Sequence, residues 1–195
     1  MNQWCEVVVE GPHDAVRGFV SGFEFARDQR EQVVFGRDLP IAPASLQEKL
    51  ARLLAGGSHT LLFGPRAVAL ELARGLREWG APAGLSVTHV REIRRASFRF
   101  DGETFNPEVA GRIHAAMVTS LPEAVAIADL HEHEETSPGA AGTELYAPDH
   151  AFRYRVTGVC SGPLAGILEM HRRATDLQFV EAEGIGIESS EVECP

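Results

Sequence analysis

A chain of 195 residues with 44% hydrophobic residues buries a substantial core, and its 28 acidic against 18 basic residues leave a formal charge of -10. That balance works against nucleic acid and anionic membrane surfaces, because long-range repulsion opposes encounter with either. Cys5, Cys160 and Cys194 make neither a disulfide framework nor a CxxC metal knuckle, Met1 to Glu6 lacks signal-peptide features, and no apolar run reaches the ~20 residues that span a bilayer, so a cytoplasmic protein with reduced thiols is expected.

Trp4 to Glu10 alternates as a strand, with Cys5, Val7 and Val9 on one face and Trp4, Glu6 and Val8 on the other. Gly11-Pro12 turns it into a helix striped by Val16, Phe19, Val20 and Phe23. The same device recurs at Gly64-Pro65, after Leu61-Leu62-Phe63, and at Gly162-Pro163, after Val156 to Cys160. Glycine permits backbone conformations that a Cβ resists, and proline's fixed φ suits the first helical position, so each copy reads as a strand-to-helix corner. Proline removes a donor at each corner, and none carries a GxGxxG or GxxxxGK[ST] pattern, so turning outweighs phosphate binding there.

Gln32 to Phe35 is a short strand, and Ser45-Leu46-Gln47-Glu48 is a capping box for a helix that ends at Gly56-Gly57. Thr60 to Phe63 opens a second unit, whose helix is lined by Val68, Leu72, Leu76 and Trp79. Leu85 to Ile93 reads as a strand, and Ala96 to Phe100 and Glu103 to Phe105 flank Asp101-Gly102, a dipeptide that favours a tight two-residue hairpin or a bulged strand. Asn106-Pro107 starts a helix striped by Val109, Ile113 and Met117, and Val125 to His133 is the next strand. After a linker rich in Ser, Gly, Ala and Pro, Phe152 to Cys160 is a strand, Leu164, Ile167, Leu168 and His171 ride the last helix, Leu177 to Ile187 is the final strand, and Glu188 to Pro195 is an acidic, frayed tail.

Residues 57–135 thus run β-α-β-β-α-β, the order of a ferredoxin-like unit, and the flanking pieces supply a second set of the same elements. The expected architecture is α+β: two ferredoxin-like units, the central one (57–135) inserted between the halves of the other (1–56 plus 150–190), with 136–149 as linker and 191–195 as flexible tail. One continuous antiparallel sheet covered by five helices uses the same elements.

Asp129-Leu130-His131-Glu132-His133-Glu134-Glu135 is the most informative polar stretch. Strand alternation puts Asp129, His131, His133 and Glu135 on one face, where His-x-His can chelate zinc or another divalent metal. His59 at the start of the Thr60 strand and His150 across the linker are the expected further ligands, and a solvated strand end accounts for the same pattern. Arg91, Arg94, Arg95, Arg99, Arg153 and Arg155 suit either an anion or, more simply, pairing with nearby acidic residues. His13-Asp14 resembles part of a catalytic relay but has no nucleophile beside it, and Asp14 suits the helix dipole. Gly184 and Gly186 mark a bulge, a ligand-side surface or a subunit contact in the final strand.

These observations point to a small-ligand- or metal-binding module that self-associates as a homo-oligomer and carries no evident catalytic set. The alternative is a metal-dependent hydrolase in which His131, His133 and either His59 or His150 hold the ion and Glu132, Glu134 or Glu135 is the general base.

Overall fold

The computed structural model describes residues 3–25, 32–42, 58–136 and 152–192. They form an α+β protein with an antiparallel sheet of eight strands and, among the described residues, four helices. The strands are β1 (Trp4–Glu10), β2 (Val34–Phe35), β3 (His59–Pro65), β4 (Ser86–Thr104), β5 (Ala126–Thr136), β6 (Phe152–Gly162), β7 (Val180–Ala182) and β8 (Gly186–Glu191). The helices are α1 (His13–Gly22), α2 (Arg66–Trp79), α3 (Pro107–Val118) and α4 (Leu164–Asp176). The chain forms two compact units, Met1–Arg95 with Gly186–Pro195, and Ala96–Ile185.

In the first unit β1 pairs antiparallel with both β3 and β4, and β2 pairs with β3, giving the order β2-β3-β1-β4. Cys5, Val7 and Val9 of β1 face Val16 and Val20 of α1 and Leu72, Ala73 and Leu76 of α2, in one core with Leu62, Leu85 and Val90. The two-residue alternation of the strand and the helical spacing of the stripes thus meet on one sheet face. The other face of β1 is covered as well: Glu6 and Val8 are buried, and Gly36 packs close to Leu61 and Phe63 of β3.

The second unit repeats the pattern. β4 from Ala96 onward pairs with β6, β6 with β5, and β7 with β4 at Phe100 to Gly102, so the order is β5-β6-β4-β7. Phe98, Phe100, Val156 and Cys160 of these strands are buried, as are Ile113 and Met117 of α3 and Ile167 and Met170 of α4.

All three Gly-Pro sites are strand-to-helix corners, but Pro12, Pro65 and Pro163 occupy the N-cap, not the first helical position, with φ of -59°, -52° and -61°. Proline stands at the first helical position in α3, where the Asn106 side chain accepts from the Glu108 N–H at 2.9 Å. Of the three corner glycines only Gly11 takes a positive φ, of 139°. At Gly162 the reason is space, since a Cβ there would lie 2.7 Å from the Ala124 carbonyl oxygen.

An insertion is present with other bounds than expected: residues 96–185 form the unit that lies in sequence between the two parts of the other, 1–95 and 186–195, and no hairpin forms at Asp101-Gly102. Both residues stay in the ladder, opposite Thr157 and Val156, and β4 runs unbroken for 19 residues. Gly102 belongs in mid-strand because Ile113 and Val180 occupy the space a side chain would need. The expected 57–135 unit is therefore divided within β4, its first strand β3 pairing with β1 and its last strand β5 with β6. The expected final strand is two strands, with Gly184 in the break and Gly186 opening β8. Glu188 to Glu191 belong to β8 rather than to a frayed tail, and the Val192 N–H donates to the Val90 carbonyl at 3.0 Å. The Ser45 capping box, Gly56-Gly57, the 137–149 part of the linker, Cys194 and Pro195 lie outside the described residues.

Two helical glycines give opposite expectations. A Cβ at Gly75 of α2 would collide with Cε2 and Cζ of Phe23, whose ring is hemmed in by Phe19, Phe25 and Trp79, whereas nothing lies within 4 Å of a Cβ at Gly111 of α3. Gly75→Ala should lower the urea midpoint by the equivalent of about 1–3 kcal/mol through overpacking. Gly111→Ala should raise it by up to about 1 kcal/mol through helix propensity; equal signs would contradict this packing.

Candidate functional site

A concave site lies in the first unit, beside β2 and β3. Among the described residues β2 pairs with Leu62 and Phe63 of β3 but not with His59, Thr60 or Leu61, and a cleft of about 180 Å³ lies there. Its lining is His13, Phe35, Gly36, Arg37, His59, Thr60 and Leu61. Gly11-Pro12 places His13 at the first turn of α1, the end of β1 opposite His59 brings His59 alongside, and the single 3-10 turn Gly36–Asp38 supplies Arg37.

His13 is held on two sides. Its Nδ1 lies 3.4 Å from Thr60 Oγ1, and its ring meets Phe35 edge-on with 5.4 Å between centroids. Its Nε2 is shut off from solvent and has no hydrogen-bond partner among the described residues. Arg17 stacks its guanidinium 5.1 Å from the Phe35 ring centroid, adding positive charge behind the cleft. In a chain of charge -10 this gathers two imidazoles, a hydroxyl and a guanidinium, groups that donate to carboxylate or phosphate oxygens.

A second, more open depression of about 450 Å³ in the same unit runs between Gly18, Phe19, Gly22, Phe23, Glu24 and Trp79, with Trp79 57% exposed. Its aromatic walls offer contact area but a single charged side chain.

His131 and His133 lie together on β5, ring centroids 5.4 Å apart, both exposed. Asp129 does not share their face as alternation predicts. It sits at φ 50° where the β5–β6 register shifts between Ala128 and His131, so a bulge resets the phase. His59 is on β3, whose partners are β1 and β2, and so it joins His13 instead of the β5 pair; His150 lies outside the described residues. Among the described residues no group of three or more His, Cys, Asp or Glu is placed to hold a metal ion.

The arginines largely pair with neighbouring acids. Arg155 forks onto Asp101, Arg153 lies 3.3 Å from Glu103, and Arg91 lies 3.5 Å from Glu191. The Asp101 hydrogen bond and charge hold the Arg155 guanidinium well above its ordinary pKa. Cys5 and Cys160 are buried and not disulfide-bonded, and burial pushes the Cys160 thiol up to about 11, which leaves it protonated at neutral pH.

His13 was legible in the sequence as a helix-start residue that with Asp14 resembles part of a catalytic relay. Phe35, Arg37 and Thr60 carried no motif; the one signal was a Gly-Arg-Asp turn directly after a short strand.

No protein family matches the chain, and no curated protein matches it. Among solved structures the chain is similar to "Crystal Structure of an Unknown Protein from Galdieria sulphuraria", at 11% identity and a TM-score of 0.31 over 98% of either chain. No helix among the described residues is long and apolar enough to cross a membrane.

His171 gives this region of the chain a pH dependence. It is 8% exposed, its Nε2 lies 3.2 Å from the Glu183 carbonyl, and Phe98 meets it edge-on. Burial lowers its pKa below the ordinary 6.5, against the opposing hydrogen bond to Glu183. The unfolded chain therefore binds a proton that the folded chain refuses as pH falls below 6.5, and stability is lost from there down toward the folded pKa. Urea midpoints measured between pH 7.5 and 5 should fall more steeply for the wild type than for His171→Gln; identical slopes would remove His171 as the cause.

Proposed function

We propose that the protein is a small-ligand-binding module built from two ferredoxin-like units, and that its ligand is a small anion, a carboxylate or phosphate, bound in the His13–Arg37–His59 cleft. The strand orders β2-β3-β1-β4 and β5-β6-β4-β7, each with two helices placed as β-α-β-β-α-β, support the fold part of this reading.

One observation carries the ligand part: His13, whose solvent-shielded Nε2 has no hydrogen-bond partner among the described residues, lines a cleft together with Arg37, His59 and Thr60. A buried polar atom without a hydrogen bond costs about 1–3 kcal/mol, and an anion oxygen would relieve it. Arg37 can accept a bidentate partner, Thr60 and the imidazoles add single donors, and Phe35 gives an apolar wall. Such a set binds and orients an anion. The metal-dependent hydrolase reading lacks a third ligand for His131 and His133 among the described residues.

Titration calorimetry with inorganic phosphate and with citrate tests this. At least one should bind saturably at millimolar concentration or below, and Arg37→Ala and His13→Ala should each weaken it about tenfold, or about 1.4 kcal/mol, without changing the far-UV circular dichroism. Binding unaffected by both substitutions, or no binding of either anion, would overturn the assignment.

A further inference from the structure

We infer that His131 and His133 form one half of a zinc-type metal site that is completed by a second copy of this chain, paired edge to edge along β5. The inference is independent of the anion cleft.

β5 closes one end of the strand order, and no strand among the described residues pairs with its outer edge. Beyond the bulge at Asp129 the two histidines project from one face, in register with Thr157 and Arg155 of β6, and residues 131–135 are all exposed. Their ring centroids are 5.4 Å apart. Two imidazoles on one tetrahedral ion, each nitrogen at ~2.05 Å, place their centroids about 5.2 Å apart, so the pair already has the spacing of a chelate. Zinc-type ions take four protein or solvent ligands, and one copy supplies two imidazoles and no third residue among those described.

Edge strands pair with themselves about a two-fold axis when the residues brought together are compatible. With that axis at Glu132, antiparallel pairing sets His131 of each copy opposite His133 of the other and keeps all four imidazoles on one face. Four nitrogens then surround one ion. The same register sets Glu132 of each copy opposite the other on the reverse face, with Glu134 on that face too, both exposed. Those carboxylates hold two copies apart until the metal bridges them, so association is metal-dependent.

Sedimentation velocity on the full chain without a histidine tag tests this, with zinc alone as the probe. Zinc should double the mass at one ion per two chains, EDTA should restore the monomer, and the His131→Asn/His133→Asn double variant should stay monomeric in zinc while keeping the monomer's sedimentation coefficient and circular dichroism. Glu132→Gln should tighten the zinc dimer about two- to fivefold by relieving a like-charge pair on facing strands. Zinc bound without a change in mass, one ion per chain, a dimer that persists in EDTA or in the double variant, or weakening by Glu132→Gln would each overturn it.

Discussion

β4 supplies backbone partners to both halves of the chain. Cys5 to Glu10 hydrogen-bond to its first half and Tyr154 to Gly162 to its second, while β7 pairs with Phe100 to Gly102. In the first unit it is the last strand of a β-α-β-β-α-β run, and in the second it is the first. A strand in that position cannot turn at Asp101-Gly102, because turning would remove the ladder partner of Val156 and Thr157 at once. The hairpin preference of the dipeptide is a local tendency, and the hydrogen bonds of two neighbours outweigh it.

The Gly-Pro corners illustrate how one dipeptide serves different physical needs. Gly11 supplies a positive φ, whereas Gly162 leaves room for the backbone at Ala124 and Val125. Proline at the N-cap of α1, α2 and α4 gives up side-chain capping, which only α3 retains through Asn106. These helices are therefore held by burial of Val16, Leu72 and Ile167 against the strands more than by their ends.

Charge is distributed unevenly over this acidic chain. Arg155 and Arg153 of β6 meet carboxylates two residues along the register of β4, Asp101 and Glu103. Such exposed pairs contribute little to stability, and their effect is to keep a polar face soluble. Around His13 the pattern differs: Arg17 rests on Phe35, and Arg37 has no acidic partner among the described residues.

The sequence by itself determined the α+β class, the three corners, the Asn106 cap and the core faces of β1 and β6, because alternation, helical stripes and Gly-Pro punctuation are local properties of the chain. It also placed His131 and His133 side by side on a strand. Only the tertiary structure decided that β4 is continuous, that the units divide at 95/96 and 185/186, and that His59 meets His13 instead of the β5 pair. Those outcomes depend on which strand lies beside which, and a strand's two hydrogen-bonding edges leave no mark in its residue pattern. The bulge at Asp129 was hidden for a related reason: a one-residue change of phase is set by pairing with β6, and residues read in order show alternation straight through it.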